Sequence, residues 1–538
     1  NKMFVSDRRR RTEMEEYMLK NQSDTANILR ERSKLNKRLA YEGLLVGIVS
    51  GAVCIVYRLV LSNAESIYFT IRDFVAHNVS YWPLWIIGLI VLGLIISIFL
   101  KWEPMIGGSG IPQLEAEVQG RIDECWWRVL LAKFCAGALA LVGGLSLGRE
   151  GPSIQLGGMV GKALAKKGKR VKTEERYLMT AGAAAGLSAA FNAPLAGIMF
   201  ALEEVHKNFS TSALVSVMIA SITADFLSRN IFGLSPTLAF SIKETFPLKN
   251  YIWVIILGIV AGVLGAFYNK VTMGTIKLYK KTPFLKKHQR VIIPLVLSGI
   301  LGFYCPLVMG GGHKLVEYLN EPNLVLSTLV LLFILKLLIS CVSFGSGAAG
   351  GIFFPLLILG SLIGASVGKV AIMCGVPSEY FMNFIIMAMA AYFSAIVRAP
   401  ITGIVLIAEM SGTLKMLLPI ALVSFVSYYV ANLLHSEPIY ESLLTNLLNN
   451  QPYQSMEEYA DSKELIGYTV GFGSNACDHY IKDLQLPRRS LIVSAIRGGE
   501  EIIPKGDTKL ISGDRVIVLV DAFHLDETKL MLESVFTS

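Results

Sequence analysis

The residue in this chain with the clearest chemistry is Glu150, in Gly148-Arg149-Glu150-Gly151-Pro152, between an apolar run at 139–147 and a small-residue stretch at 157–165. A charged group at membrane depth costs about 2.5–3.5 kcal/mol on insertion scales, so an acid there marks an ion or proton path. The flanking glycines remove side chains that would keep a small ligand from the backbone, and Pro152 suits the first turn of a new helix. A helix start facing a cavity attracts anions through its unpaired N–H groups. This one carries its own anion.

The elements around Glu150 belong to a membrane protein: of 538 residues, 53% are hydrophobic and 17% charged. Runs long enough to cross about 30 Å of hydrocarbon lie at 43–61, 82–100, 251–267, 291–308, 324–342 and 416–434. Between them fall Gly- and Pro-rich stretches near 109–119, 148–165, 186–204, 350–370 and 394–410, which read as too short or too broken for ordinary spans. Irregular backbone at that depth is tolerated only where it is buried in protein or lines a polar cavity, so these pieces predict a pathway. The basic segment 1–40 has no apolar core, so it is not a signal peptide, and the positive-inside rule places it in the cytoplasm with the clusters at 162–172 and 280–290. Topology also accounts for the net charge of +9, leaving no need for a nucleic-acid partner. The seven cysteines lack metal-ligand spacing, and no metal site is expected.

The membrane part is duplicated. The stretch 188–204, containing Ala193-Pro194, Gly197-Ile198 and Glu203, aligns without gaps to 394–410, containing Ala399-Pro400, Gly403-Ile404 and Glu409. A second match sets Gly148, Pro152, Leu156, Gly157 and Gly161 against Gly351, Pro355, Leu359, Gly360 and Gly364. Duplicated broken helices point to a substrate site at the interface of two repeats, commonly of inverted topology. The second anion-binding helix start would be Ile352-Phe353-Phe354-Pro355, its amides facing the same cavity. Glu203 has a counterpart in Glu409, so a shared packing or capping role suits both; Glu204 has only Met410 opposite and is the better functional acid.

With these residues in hand, the chain resembles the CLC family of chloride channels and proton-coupled chloride exchangers over about residues 40–445. The likeness rests on Gly108-Ser109-Gly110-Ile111-Pro112, Gly148-Arg149-Glu150-Gly151-Pro152, Gly351-Ile352-Phe353-Phe354-Pro355 and Tyr440, in that order. It implies an α-helical polytopic membrane protein with an inverted repeat of broken helices, the repeats at about 41–235 and 245–445. It further implies that the Ser109 and Tyr440 hydroxyls and the Ile352 and Phe353 amides hold a central chloride, and that amides around Arg149 and Gly151 form an outer site. Glu150 would be gate and proton carrier, with Glu204 passing protons from the cytoplasm. Neutral donors suit this task, because a fixed cation would hold chloride too tightly to release it. The implied activity is chloride/proton antiport, not enzymatic, without a cofactor, by a multi-pass homodimer with one pathway per subunit. It would sit in the plasma membrane of a bacterium with both termini cytoplasmic. A gated chloride channel uses nearly the same residues; Glu204 favours exchange. An intramembrane serine protease built on Gly107-Gly108-Ser109-Gly110 would need a histidine base near the serine, and the seven histidines lie at the ends of apolar runs or outside them.

A linker at 446–460 leads to a polar region, 461–538, with β-type runs at 491–497 and 516–520 and an amphipathic stretch at 525–535. This small cytosolic α/β domain resembles the RCK_C (TrkA-C) module, through Ile502-Ile503-Pro504-Lys505-Gly506-Asp507 and Gly513-Asp514-Arg515-Val516. Similar modules dimerise and some bind cyclic dinucleotides, which makes Asn475, Arg497, Ile502, Ile503 and Pro504 candidate contacts for cyclic di-AMP.

Overall fold

The computed structural model describes residues 2–537 apart from 208–210, 235–237, 239–244, 282–284, 321–323, 450–462, 489, 499 and 522–524. Its side chains are described from residue 36 onward, except at 211–212, 463–464, 521, 525–527 and 529–530. Most of the expected linker, and the side chains of the basic N-terminal segment, lie outside the described residues. The chain forms two compact units: a membrane unit of residues 35–119 and 124–450, and a second unit that contains the C-terminal domain.

Among the described residues, seven helices are long and apolar enough to cross a membrane: Asn36–His77, Val79–Trp102, Ala213–Phe232, Leu248–Lys280, Leu326–Gly345, Phe353–Met373 and Ser378–Val397. Three contain expected runs, and Leu326–Gly345 takes up all but the first two residues of a fourth, 324–342. The run at 291–308 is instead cut at Cys305-Pro306, giving Ile292–Tyr304 and a 3-10 turn at Pro306–Val308. The run at 416–434 yields the shorter helix Leu417–Leu433. One expectation is overturned: the glycine-rich stretch 350–370 contains an unbroken helix, Phe353–Met373. Its glycines serve packing rather than breakage. A Cβ on Gly360 would lie 2.9 Å from the Ala388 carbonyl, and one on Gly364 would collide with that of Phe384. Their counterparts Gly157 and Gly161 meet the carbonyls of Gly182 and Leu178 in the same way. Small residues let helices approach backbone to backbone in a membrane, where no hydrophobic force separates lipid from leucine.

Both repeats break their helices by one device. Lys172–Phe191 ends in Asn192 at φ 55°, and Pro194 begins Pro194–Phe200. In the second half Phe381–Val397 ends in Arg398 at φ 73°, and Pro400 begins Pro400–Ser411. Proline cannot continue the preceding ladder, and the left-handed residue turns the chain. That conformation is unfavourable for a residue with a Cβ; here side-chain bonds hold it. Asn192 Oδ1 accepts from Arg58 (2.9 Å) and Ser228 (2.8 Å), while the Arg398 guanidinium donates to the Tyr428 and Ser436 carbonyls.

The C-terminal domain is an antiparallel sheet of strands β1 (Lys463–Thr469), β2 (Ser490–Arg497), β3 (Glu500–Ile502) and β4 (Arg515–Asp521) in the order β1-β4-β2-β3, with a helix at Leu525–Phe536. Strands β2 and β4 and the helix match the sequence expectation; β1 and β3 do not appear in it. Val516, Val518 and Val520 of β4 pack with Tyr468, Ile492, Leu532 and Phe536 in a separate core.

Candidate functional site

Three helix starts meet inside the membrane unit: Ile111–Val118, Glu150–Lys167 and Phe353–Met373. The first two strands of connecting backbone that lead into them are stitched to the second repeat. Gly148 and Gly351, equivalent positions of the two halves, exchange both hydrogen bonds, N–H to O at 2.7 and 2.8 Å. A pair of equivalent residues bonded reciprocally lies where a pseudo-two-fold axis passes. Gly108 is joined likewise, donating to the Ala348 carbonyl (3.0 Å) and accepting from Gly350 (3.1 Å). Side chains are excluded at this junction: a Cβ on Gly151 would stand 2.9 Å from the Ser109 carbonyl, and one on Gly351 would stand 3.2 Å from the Gly151 nitrogen. Gly110 adopts φ +89°, and any side chain on it would collide with Gln155.

Glu150 is fully buried at the start of its helix, its carboxylate lying against the backbone N–H groups of Glu150 and Phe354 without a side-chain hydrogen bond among the described residues. Its nearest cation is Arg149, Nε to Oε1 at 3.7 Å. The Gly148 position leaves room for it, since a Cβ there would lie 2.5 Å from Oε2 and 3.1 Å from the Phe354 nitrogen. The Arg149 guanidinium reaches a second residue as well: Nη2 donates to His313 Nε2 (3.4 Å), and the imidazole stacks on Phe354 at 4.6 Å. His313 is thus a neighbour of the site that the sequence did not reveal. Among the described residues no histidine bonds Ser109, whose Oγ accepts from the Ile111 N–H (3.3 Å) and keeps its proton to donate.

Ile352 and Phe353 are buried beside this junction. Phe353 packs against Phe191, Phe200 and Phe393, and Phe200 meets the ring of Tyr440 edge-on at 6.5 Å. Tyr440, in the second residue of the helix Ile439–Leu448, is fully buried with no partner for its hydroxyl among the described residues. It lies within electrostatic range of both Glu150 and Glu204. Two buried lysines escaped the sequence reading. Lys133 Nζ donates to the Ile106 and Gly108 carbonyls (2.8 and 2.7 Å), and Lys336 Nζ to those of Val308 and Gly310 (3.0 and 3.1 Å). Their separation of 203 residues equals that of Gly148 and Gly351, and that spacing was the available signal. Each ammonium fixes a glycine turn without facing it as a bare cation.

The repeat also sorts the acids. Glu203 Oε2 accepts from the Thr402 N–H (2.8 Å) and hydroxyl (2.7 Å), capping the helix start of the second half. Glu409 returns the contact, accepting from the N–H groups of Leu195 (3.1 Å) and Ala196 (2.8 Å). Among the described residues Glu204 makes no such capping bond. It is buried in a turn of π-helix, Ala201–Val205, where the equivalent helix Pro400–Ser411 stays α-helical. Such bulges gather at functional positions. Around it stand Lys207, Glu115 and Glu441, with Lys207 Nζ 2.6 Å from Glu115 and 3.2 Å from Glu441.

In the C-terminal domain the five candidate contacts are differently placed. Arg497 donates from Nε and Nη2 to Asp514 (2.9 and 2.8 Å) and from Nη2 to the Lys509 carbonyl (2.6 Å). Two of its nitrogens are therefore committed within the domain. Asn475 donates to the Ser534 carbonyl (3.2 Å) of the terminal helix. Ile502 ends β3 opposite Ala495, Pro504 is half-buried, and Ile503 is 81% exposed.

Broken helices that aim amide ends at a buried carboxylate, on a duplicated set of apolar spans, define a multi-pass ion-transport protein. Residues 87–432 match the family model described as voltage gated chloride channel, and the chain belongs to that family. Residues 465–532 match the TrkA-C domain. The H(+)/Cl(-) exchange transporter ClcA of Vibrio cholerae serotype O1 is 34% identical over 447 residues, covering 81% of this chain and 95% of that protein. ClcA of Salmonella typhimurium is 33% identical over 448 residues, covering 81% and 94%. Among solved structures, a slow cyanobacterial Cl-/H+ antiporter matches with TM-score 0.73 at 30% identity, over 77% of this chain and 99% of that one. A CLC-type fluoride/proton antiporter shares the fold, with TM-score 0.61 at 21% identity over 75% and 97%.

Proposed function

We propose that the protein exchanges chloride for protons, with Glu150 as gate and proton carrier and Glu204 as the inner proton-transfer acid. The observation that carries this reading is the Glu150 carboxylate, buried, without a side-chain hydrogen bond among the described residues, and placed against the Phe354 N–H where amide ends of both repeats converge. Ionised, it occupies an anion position and blocks the path. Protonated, it loses that attraction and moves aside, so one side chain links the two ions. Ser109, Tyr440 and the amides of Ile352 and Phe353 hold the central chloride, and the amides of Arg149 and Gly151 the outer one. All are neutral donors, which lets the ion leave as readily as it enters. Reconstituted protein, with chloride and proton fluxes recorded together, tests this. Glu150→Gln imitates the protonated gate, and is expected to keep chloride transport while abolishing chloride-driven proton movement. Proton uptake that persists in this variant removes the mechanism; chloride flux in the wild type with no proton counter-flux makes the protein a channel.

The proposal extends to control by the C-terminal domain of a homodimer with one pathway per subunit. Its support is the TrkA-C match and the exposed apolar loop at Ile503, which offers a surface for a base. Cyclic di-AMP is the proposed ligand, contacting Asn475, Ile502, Ile503, Pro504 and the part of Arg497 not bound to Asp514. A ligand shifts transport only by binding one state better than another. Titration calorimetry of the full-length dimer with cyclic di-AMP tests it; absence of binding heat from a protein of dimeric mass by light scattering rejects it.

A further inference from the structure

Lys207, just beyond the π turn of Glu204, joins two helices that lie far apart in the sequence. Its Nζ stands 2.6 Å from Glu115 Oε1 and 3.2 Å from Glu441 Oε1. Glu115 is fully buried in Ile111–Val118, the helix that Ser109 and Gly110 lead into, and its Oε1 also accepts from Gln119 Nε2 at 3.1 Å. Glu441 directly follows Tyr440 in the first turn of Ile439–Leu448, and the two helices pack against each other. One ammonium therefore bridges the helices that bear the two hydroxyls of the central site. Lys207 reaches this place from a backbone at φ 52°, a conformation unfavourable for a residue with a Cβ.

An ammonium has three donors and no acceptor, so it can serve carboxylates from separate elements at once. Here it balances three acids, Glu115, Glu441 and Glu204, that stand within electrostatic range of it. The second repeat has no such bridge to offer: at the offset that pairs Glu203 with Glu409, Thr413 takes the place of Lys207. An ion held by hydroxyls on two different helices binds tightly only when those helices already stand at the right spacing, because ordering them on binding is subtracted from the affinity. We propose that Lys207 is a positioning residue for the central chloride, clamping the Ser109 helix to the Tyr440 helix through Glu115 and Glu441. It acts through these two carboxylates and not by contact with the ion. This inference rests on the reading of Ser109 and Tyr440 as the central chloride donors.

The test is chloride affinity, measured by isothermal titration calorimetry on the full-length protein in detergent, with thermal stability recorded on the same samples. Lys207→Met is expected to weaken chloride binding about ten-fold, and Lys207→Arg, which keeps a cation with several donors, to recover most of it. Glu441 is exposed, so Glu441→Gln removes one arm of the clamp without burying an unpaired group, and should weaken binding about three-fold. Because both act through one bridge, Lys207→Met/Glu441→Gln should bind chloride no more weakly than Lys207→Met alone. Unchanged affinity in both single variants overturns the proposal, and so do losses that multiply in the double variant, which describe two independent effects. A loss that is the same in Lys207→Arg as in Lys207→Met overturns it as well. If Lys207→Met binds weakly only in step with a lower thermal stability, while Glu441→Gln binds as the wild type does, the role of Lys207 is in folding and the clamp is removed. Tyr440→Ala measured alongside separates the clamp from the reading beneath it. Weaker binding there, with none in the Lys207 and Glu441 variants, leaves the central site and removes the clamp; wild-type affinity in Tyr440→Ala removes Tyr440 from the chloride site and the proposal with it.

Discussion

At the scale of the residue, the two neighbouring acids Glu203 and Glu204 divide by what they touch. Glu203 is spent on Thr402, whereas Glu204 faces a charged cluster of Lys207, Glu115 and Glu441. Glu203→Ala leaves a buried N–H and hydroxyl unpaired and is expected to cost about 1–3 kcal/mol, read as a lower thermal stability in detergent with the flux ratio unchanged. Glu204→Gln is expected to do the reverse, lowering proton flux while chloride still binds. Identical flux phenotypes of the two variants would contradict this division. Asp514 offers a residue-scale prediction outside the membrane. Burial pushes its carboxyl up, but the bonds from Arg497 and from the Ile511 N–H outweigh that and hold it below the usual carboxylate range. A depressed folded value contributes stability that is fully present above about pH 4, the unfolded value, and lost as pH falls through the folded one. Asp514→Asn should therefore lower the stability of the C-terminal domain at pH 7 and flatten its dependence below pH 4, measured by urea denaturation followed by circular dichroism.

At the scale of the element, the site depends on helices that stop and restart. The Asn192 and Arg398 turns let Pro194–Phe200 and Pro400–Ser411 begin where they can receive Glu409 and Glu203. The glycines of the Glu150 and Phe353 helices bring these helices against their neighbours instead of breaking them. Gly157→Val would force a side chain onto the Gly182 carbonyl, and overpacking of this kind costs about 1–3 kcal/mol or more. The expected outcome is loss of both fluxes together with a lower thermal stability, whereas Gly88→Val, with nothing within 4 Å of a Cβ, should leave both unchanged.

At the scale of the whole molecule, the pseudo-two-fold arrangement turns local motifs into one site. It sets Gly148 beside Gly351 and exchanges the Glu203 and Glu409 caps, and it repeats the lysine brace with Lys133 and Lys336. Symmetry then fails at the functional positions. Glu204 lies in a π turn that Met410 lacks, and Ile111, which follows Gly110, is matched after Gly312 by His313, which shares the Arg149 guanidinium with Glu150. Replacing Lys133 with Met should release the Gly108 turn that carries Ser109, lowering chloride affinity measured by calorimetry while leaving Glu150 in place.

Much of this was legible in the sequence because it is one-dimensional. A carboxylate between glycines, a proline after a left-handed turn and a repeat with matched glycines are local facts. Hydrophobic runs likewise measure their own length against the bilayer. From these came the pathway, the candidate residues Glu150, Ser109 and Tyr440, and the split between Glu203 and Glu204. Tertiary structure alone decided what meets across hundreds of residues. Gly148 bonds Gly351, His313 meets Arg149, Arg497 is held by Asp514 rather than left free, and the rings of Tyr268 and Tyr392 meet edge-on in the interior. An apolar helix reads the same whether a tyrosine on it faces lipid, a ring or a polar pocket, since its neighbours come from other helices. The glycines of Phe353–Met373 show the same limit, because a glycine that ends a helix and one that admits another helix are written with the same letter, and only packing tells them apart.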